Sequence, residues 1–297
     1  MRIAILGSQG FVGKNMVDYL DEKFDVISSD TYISGTGKNY VKADARKFDE
    51  VKRLLKDVDI VIDLIAHNLV SSFNDVIENA NINIIGLLNI LESCRINNVK
   101  KILFPSASSM IGTAVKNPVP ETHDAFPTTP YGVTKLASEH YLRIYKELYG
   151  LNFVIFRFFN IYGPHQLNGL IPNIISRILK NQPVTIFGDG MQTRDFVYVK
   201  DVVSFFEDSI KSSRADNKIL NMGTGKPTAI IDVVKIIYEL LKQNPSIEKK
   251  PQRAGEISNF VADTTLLEQT FGKKPPTSVK FGLAETVDWY KKYSDFK

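Results

Sequence analysis

Tyr131-Gly-Val-Thr-Lys135 places a phenol and an ammonium four residues apart on a segment with helical character. On a helix, residues i and i+4 share one face. An ammonium held beside a phenol favours the phenolate, so such a pair could take a proton from an alcohol well below the ordinary tyrosine range of about 10. Alone, the spacing fits a solvated helix face equally well, and its meaning depends on what the rest of the chain brings to it.

The first thirteen residues, MRIAILGSQGFVG, are an apolar run followed by Gly7, Gly10 and Gly13 and then an amphipathic segment over Lys14 to Leu20. This predicts strand, glycine turn, helix. Gly7 permits the tight turn, Gly10 the approach of backbone to a pyrophosphate, and Gly13 the packing of helix on strand, with the helix N-terminus facing the phosphates. The spacing is G-x-x-G-x-x-G, not the G-x-G-x-x-G of most dinucleotide dehydrogenases. A second apolar pair, Val26 and Ile27, leads to Asp30, near the distance at which an acid binds the adenosine ribose. Asp30 repels a 2′-phosphate and no arginine neighbours it in sequence, so the expected cofactor is NAD, not NADP.

Strand-like and helix-like runs then alternate. Asp59 to Ile65 and Lys101 to Phe104 read as buried parallel strands, with helices over Asp49 to Lys56 and Val76 to Arg95, and a further strand over Asn152 to Phe159 follows the Tyr131 helix. The pattern predicts an α/β fold, a Rossmann-type doubly wound parallel sheet, with ligands at the carboxyl ends of its strands. After Gly163-Pro164 the elements become short and Pro/Gly-rich, and helices over Ile231 to Lys242 and Leu283 to Tyr293 close the chain. Residues 1–163 plus 193–225 are assigned to the cofactor domain, and 164–192 plus 226–297 to a smaller mixed α/β C-terminal substrate domain.

Composition agrees. A chain of 297 residues, 43% hydrophobic and 24% charged, can bury a full core. Its net charge of +4 is small and dispersed, which argues against a nucleic-acid groove and suits an anionic small molecule. Cys94, the only cysteine, excludes an internal disulfide and lies in an apolar stretch, and the four histidines lack zinc-type spacing, so no metal site is expected. No secretory signal precedes the first strand and no run reaches membrane-spanning length, so a cytoplasmic protein with no membrane partner is expected.

These features, with Asp44, Asn83-Ile-Ile-Gly86, PSASSMIG at 105–112, RFFNIYGP at 157–164, IFGDGMQTRDFVYVKDV at 186–202 and RAGE at 253–256, resemble the extended short-chain dehydrogenase/reductase family. Within it, the resemblance is to the NAD-dependent nucleotide-sugar epimerases and dehydratases, and it runs nearly end to end. It implies that Gly7, Gly10, Phe11, Val12, Gly13, Asp30, Asp44, Ala45, Leu64, Ala66, Asn83, Tyr131 and Lys135 surround NAD, Asp44 at the adenine and Asn83 near the phosphates. For the nucleotide sugar, it implies Ser108 and Leu170, Asn160 on the diphosphate, Phe187 against the base, and Arg194 and Arg253 as a diphosphate clamp. Glu256 corresponds to a ribose-binding acid. Phe260 stands where family epimerases carry either a bulky or a small residue beside the sugar's 2-substituent. A phenyl ring there favours a UDP-hexose over its N-acetyl form, though core packing at a strand edge explains it as well.

One position departs from the family pattern. The usual catalytic serine or threonine falls at Ala107, and part of the family instead carries a hydroxyl two places later, at Ser109. In extended chain Ser109 shares the face of Ala107 and Ser108 points away. Ser106, Ser108 and Ser109 could also simply satisfy backbone groups at a strand end. With Tyr131 as base, Lys135 beside it and Ser109 on the reacting oxygen, the resemblance implies oxidation of a sugar to a bound 4-keto intermediate, rotation, and return of the hydride: 4-epimerisation, expected to serve surface polysaccharide synthesis. The Asp-Glu pair that family dehydratases use is absent, Ser108 and Ser109 standing there. A 4-keto-sugar reductase and a non-catalytic NAD-bound sensor are the alternatives. A homodimer formed through the Tyr131 helix and its neighbour is the implied assembly.

Overall fold

The computed structural model describes residues 1–252 and 258–293. Its strands in chain order are β1 (Arg2–Leu6), β2 (Asp25–Asp30), β3 (Tyr40–Lys42), β4 (Ile60–Asp63), β5 (Lys101–Ala107), β6 (Asn152–Phe158), β7 (Asn160–Tyr162), β8 (Val184–Phe187), β9 (Thr193–Tyr198), β10 (Lys218–Met222), β11 (Pro227–Ala229), β12 (Ile247–Lys250) and β13 (Asn259–Phe260). The helices are α1 (Phe11–Leu20), α2 (Phe48–Leu54), α3 (Leu69–Asn74), α4 (Val76–Ala80), α5 (Leu87–Ile96), α6 (Pro130–Tyr149), α7 (Leu170–Leu179), α8 (Val199–Lys211), α9 (Ile230–Leu241), α10 (Thr265–Phe271) and α11 (Val279–Lys292).

Seven strands form one parallel sheet in the order β10-β6-β5-β4-β1-β2-β3. Side chains alternate between its faces. Ile3, Ile5, Ile60 and Ile62 point to the side covered by α1 and α8, where Met16, Val17, Leu20, Phe205 and Phe206 close the core. Ala4, Val61, Ile102 and Phe104 point to the other side, under α2, α5 and α6, with Val51, Leu91, Cys94 and Leu142. Burial on both faces explains why the strands are continuous apolar runs instead of alternating ones.

The single helix expected over Val76 to Arg95 is interrupted. Asn68 caps α3 by accepting from the Ser71 N–H (3.1 Å), and Asp75 stops that helix and caps α4 through the Glu78 N–H (2.8 Å). A π-helical turn over Asn81–Gly86 then joins α4 to α5. By contrast α6 runs unbroken between well-formed ends: Thr129 caps Gly132 N–H (3.0 Å), Pro130 occupies the first turn, and Gly150 closes the helix at φ 74°.

The assigned domain boundaries and the sheets do not coincide. β9 leaves the large sheet and pairs with β7, β11 and β13, whereas α10, from the assigned substrate region, returns to the large sheet. Leu267 joins the core under α8, and Phe271 packs on Phe156 and Phe205. The apolar face of α10 covers the far edge of that sheet. The second core lies between α7, α9 and α11 and strands β8 and β9.

Candidate active site

Gly7 turns at φ +76°, and a Cβ on it would stand 2.9 Å from the Leu64 carbonyl carbon, so the segment after β4 runs directly against the turn. A Cβ on Gly13 would collide with the Gly7 carbonyl and with Ser8, which is how α1 presses onto β1. Gly10 caps α1 with no side chain, leaving its first N–H groups open, and Phe11 and Val12 sit half-buried in that first turn. A cradle lacking Cβ atoms before an uncapped helix N-terminus suits a pyrophosphate. Asp30, at the end of β2, accepts from the N–H groups of Gln9 (2.9 Å) and Thr31 (2.7 Å), which fixes its carboxylate beside the glycine turn.

Farther along, Arg46 holds both Asp44 oxygens (3.0 and 2.7 Å) and keeps that carboxyl below its ordinary range. The Asp44 carboxylate is therefore already oriented by a guanidinium. The Ala45 carbonyl accepts from Asn89 (2.9 Å). Asn83 takes the His67 N–H on its oxygen (2.7 Å) and donates to the His67 carbonyl (3.1 Å) and to Thr134 Oγ1 (3.0 Å). Its contacts are thus a protein clamp that fixes the Leu64–Ala66–His67 segment to α6. The π-turn and α4 bring Asn79 to the same place, donating to the His67 carbonyl (2.9 Å) while Thr134 donates to its oxygen (3.3 Å).

Tyr131 and Lys135 project from α6 over the end of β5. Lys135, 2% exposed, donates to the Pro105 carbonyl (2.8 Å), and its Nζ lies 4.3 Å from the Phe104 ring centre and 5.8 Å from that of Tyr131. Burial lowers the ammonium to about 8 against the opposing charges of Asp63 and Glu139, and burial pushes the Tyr131 phenol up to about 12. Burial therefore raises the phenol where the spacing predicts a lowering, while the Lys135 ammonium is engaged with the Pro105 carbonyl.

The extended-chain argument for Ser109 is also corrected. β5 ends at Ala107, and Ser108–Ile111 form a 3-10 helix, so strand parity does not apply. Ser109 is nonetheless the better placed hydroxyl. A Cβ on Gly132 would lie 3.0 Å from the Ser109 carbonyl, so the first turn of α6, with Tyr131, presses on Ser109. Its Oγ is buried with no hydrogen-bond partner, whereas Ser106 is directed at Met110 Sδ (3.7 Å). A buried orphan hydroxyl calls for a partner.

On the small sheet, Asn160 begins β7 and donates to the Asp195 carbonyl (3.2 Å), while Arg194 on β9 lies in register with Phe260 on β13 and donates to the Thr193 carbonyl (2.8 Å). Phe260 stacks on Phe159 (5.2 Å, 28°) and clusters with Met110 and Ile111, so it is both core packing and a wall of the Ser109 segment. Ser108 is half-buried on that segment, Leu170 is exposed at the start of α7, and Phe187 ends β8. Arg253 and Glu256 lie outside the described residues. Among the described residues, no cluster of His, Cys, Asp or Glu could hold a metal ion, and no helix is long and apolar enough to cross a membrane.

Several supporting residues escaped the motifs. Asp195, fully buried, accepts from Thr224 (2.7 Å), Gly225 (2.9 Å) and Ala262 (3.2 Å) and ties β9 to the adjoining loops. Arg157 on β6 grips Glu139 on α6 with two hydrogen bonds (3.0 and 2.8 Å) and reaches the Glu121 carbonyl (2.7 Å), holding α6 against the sheet. Asp63 is buried at the end of β4. The signal for Arg157 and Asp63 was present: a charge inside an otherwise apolar strand.

A model of the NAD dependent epimerase/dehydratase family matches residues 3–223. A relative named putative UDP-glucose 4-epimerase, from Methanocaldococcus jannaschii, is 36% identical over 97% of this chain and 98% of its own length. Among solved structures, UDP-glucose 4-epimerase from Thermotoga maritima with UDP-glucose superimposes with a TM-score of 0.92 at 30% identity, covering 99% of this chain and 100% of that one. UDP-glucuronic acid 4-epimerase from Bacillus cereus with UDP-glucuronic acid and NAD gives 0.90 at 26%, covering 99% and 100%.

Proposed function

The chain belongs to the NAD dependent epimerase/dehydratase family, and from that premise we propose that it is a 4-epimerase of a UDP-hexose. The observation that carries the reading is that Tyr131 and Lys135 of α6 lie beside the end of β5 and the segment whose Ser109 hydroxyl is unpartnered, in a chain whose first strand ends in a tight glycine turn. Bound NAD supplies a hydride acceptor and, when oxidised, a positive charge in the site. Tyr131, as a phenolate steadied by Lys135, takes the proton of the sugar hydroxyl and becomes the neutral phenol, and Ser109 donates to the reacting oxygen. No carboxylate stands at 108 or 109 to assist loss of water, which favours epimerisation over dehydration.

The choice of sugar rests on Phe260. Its ring, stacked on Phe159, fills space beside the Ser109 segment, and an N-acetyl group against it costs roughly 1–3 kcal/mol. The assay is interconversion of UDP-glucose and UDP-galactose without added cofactor. Turnover with NAD retained through purification supports the epimerase, whereas a requirement for external NADH or NADPH and a 4-keto substrate replaces it with the reductase. Phe260→Ser shifts the kcat/KM ratio toward UDP-N-acetylgalactosamine if Phe260 is the wall, and an unchanged ratio rejects that role.

A homodimer through α6 and the helices beside it is part of the proposal. Val133, Ile144 and Leu148 on α6, and Val70, Phe73 and Ile77 on α3 and α4, are exposed. Light scattering that finds only monomer rejects it. A role in cytoplasmic synthesis of surface polysaccharide rests on family likeness alone.

A further inference from the structure

We propose that Asp63 is a positioning residue whose buried carboxylate holds the Lys135 ammonium in its charged state beneath the cofactor site. The inference rests on the reading of Lys135 as the group that meets NAD. Asp63 is the last residue of β4, in register with Leu6, and it is 2% exposed. Strand alternation sends its side chain to the face of Val61, the side covered by α5 and α6, and not to that of Ile60 and Ile62. Ile62 pairs with Leu103, so Asp63 stands beside Phe104, whose ring lies on the same face and 4.3 Å from Lys135 Nζ. Asp63, Phe104 and Lys135 therefore share one layer.

The carboxylate is otherwise little used. Oδ1 accepts from the Ile65 N–H (3.1 Å), and among the described residues Asp63 makes no ion pair. Burial pushes its carboxyl up to about 6, against the pull of Lys135 and of the Ile65 N–H. Above that pH it is an anion in a poorly screened interior, where a charge acts beyond hydrogen-bond range. The other groups facing Lys135 do not substitute for it. Glu139, on the same helix, has both oxygens held by Arg157. Burial raises both the Tyr131 phenol and the Cys94 thiol of α5, so neither is a ready anion for Lys135 in place of Asp63. The remaining contact, from β5, is the neutral Pro105 carbonyl.

Removing the anion lets Lys135 lose its proton at a lower pH. The test is NAD affinity from pH 6 to 10, by calorimetry on cofactor-stripped full-length protein, for wild type, Asp63→Asn and Lys135→Met. Asparagine keeps the shape and can still accept from Ile65. Affinity in the wild type falls on the basic side, this limb is missing in Lys135→Met, and in Asp63→Asn it moves about one unit toward acid. A purely structural role would change the level of affinity and not the position of the limb. A limb that Lys135→Met removes and Asp63→Asn leaves in place overturns the proposal while the Lys135 reading survives. No limb, or one that persists in Lys135→Met, overturns the Lys135 reading and the proposal with it. If Asp63→Asn does not fold, Asp63→Ser, smaller and equally neutral, carries the same expectation.

Discussion

Replacing Ser109 with alanine should move stability and catalysis in opposite directions. The Oγ is buried without a partner in the ligand-free chain, a situation that costs about 1–3 kcal/mol relative to a satisfied hydroxyl. Deleting it removes that penalty and only one heavy atom of packing, so Ser109→Ala should leave Tm unchanged or raise it by a few degrees. The same residue lies against the first turn of α6, where Gly132 allows contact with the Ser109 carbonyl. Loss of one such donor typically lowers kcat by about 10²–10³-fold. Ser108→Ala, a half-buried position beside it, should change kcat by less than about tenfold. The assays are calorimetric unfolding of each variant and the initial rate of C4 inversion. A Ser109→Ala protein that is less stable by more than about 1 kcal/mol, with its rate intact, would show that the hydroxyl satisfies the fold and that Ser109 has no part in the reaction.

Tyr131→Phe should lower kcat by roughly 10²–10⁴-fold while NAD binding by titration stays near wild type, and retained turnover refutes the general-base role. Asp30→Ala should weaken NAD binding by about 1–3 kcal/mol and narrow the preference over NADP, and unchanged affinity for both refutes the ribose assignment. Glu207 is a stability prediction. Burial pushes its carboxyl up, but hydrogen bonds from Lys211, Tyr19 and Lys23 outweigh this and hold it at about 2. A depressed folded value stabilises above the unfolded pKa of about 4.3 and is lost as pH falls toward about 2. Glu207→Gln should thus cost about 1 kcal/mol near neutral pH after screening of its exposed lysine partners, and nothing near pH 2. A cost that is the same at both pH values contradicts the ion-pair account.

The parallel sheet was legible because fully buried strands must be apolar along their whole length, and Ile3–Leu6, Ile60–Ile62 and Ile102–Phe104 are. The Tyr131 helix was legible because Thr129, Pro130 and Gly150 each do at a helix end what their chemistry favours. The interruption between Leu69 and Ile96 was not. Asp75 reads as an ordinary polar residue until its carboxylate is seen taking the Glu78 N–H, and a π-turn changes hydrogen-bond partners without changing composition. Likewise, nothing local in Thr265–Phe271 says which sheet its apolar face will meet; that depends on Phe156 and Phe205, far away in the chain.

The site divides along the same line. The turn at Gly7 and the close packing at Gly13 were readable because backbone shape is local. The state of Tyr131 was not, because ionisation depends on how much water the fold removes, and here burial pushes the phenol up. The Ser109 expectation had sound support in the residue type and an unsound one in strand parity. Ala107 ends the strand without a hydroxyl, and in the proposed reading the donor comes from the 3-10 turn that follows. That turn is buttressed on one side by Gly132 and on the other by Phe260, through Met110 and Ile111. The ring proposed to set sugar preference therefore also packs against the segment that carries Ser109. Phe260→Ser should consequently change kcat for UDP-hexoses as well as the preference between sugars, and a variant altered only in preference would separate the two roles.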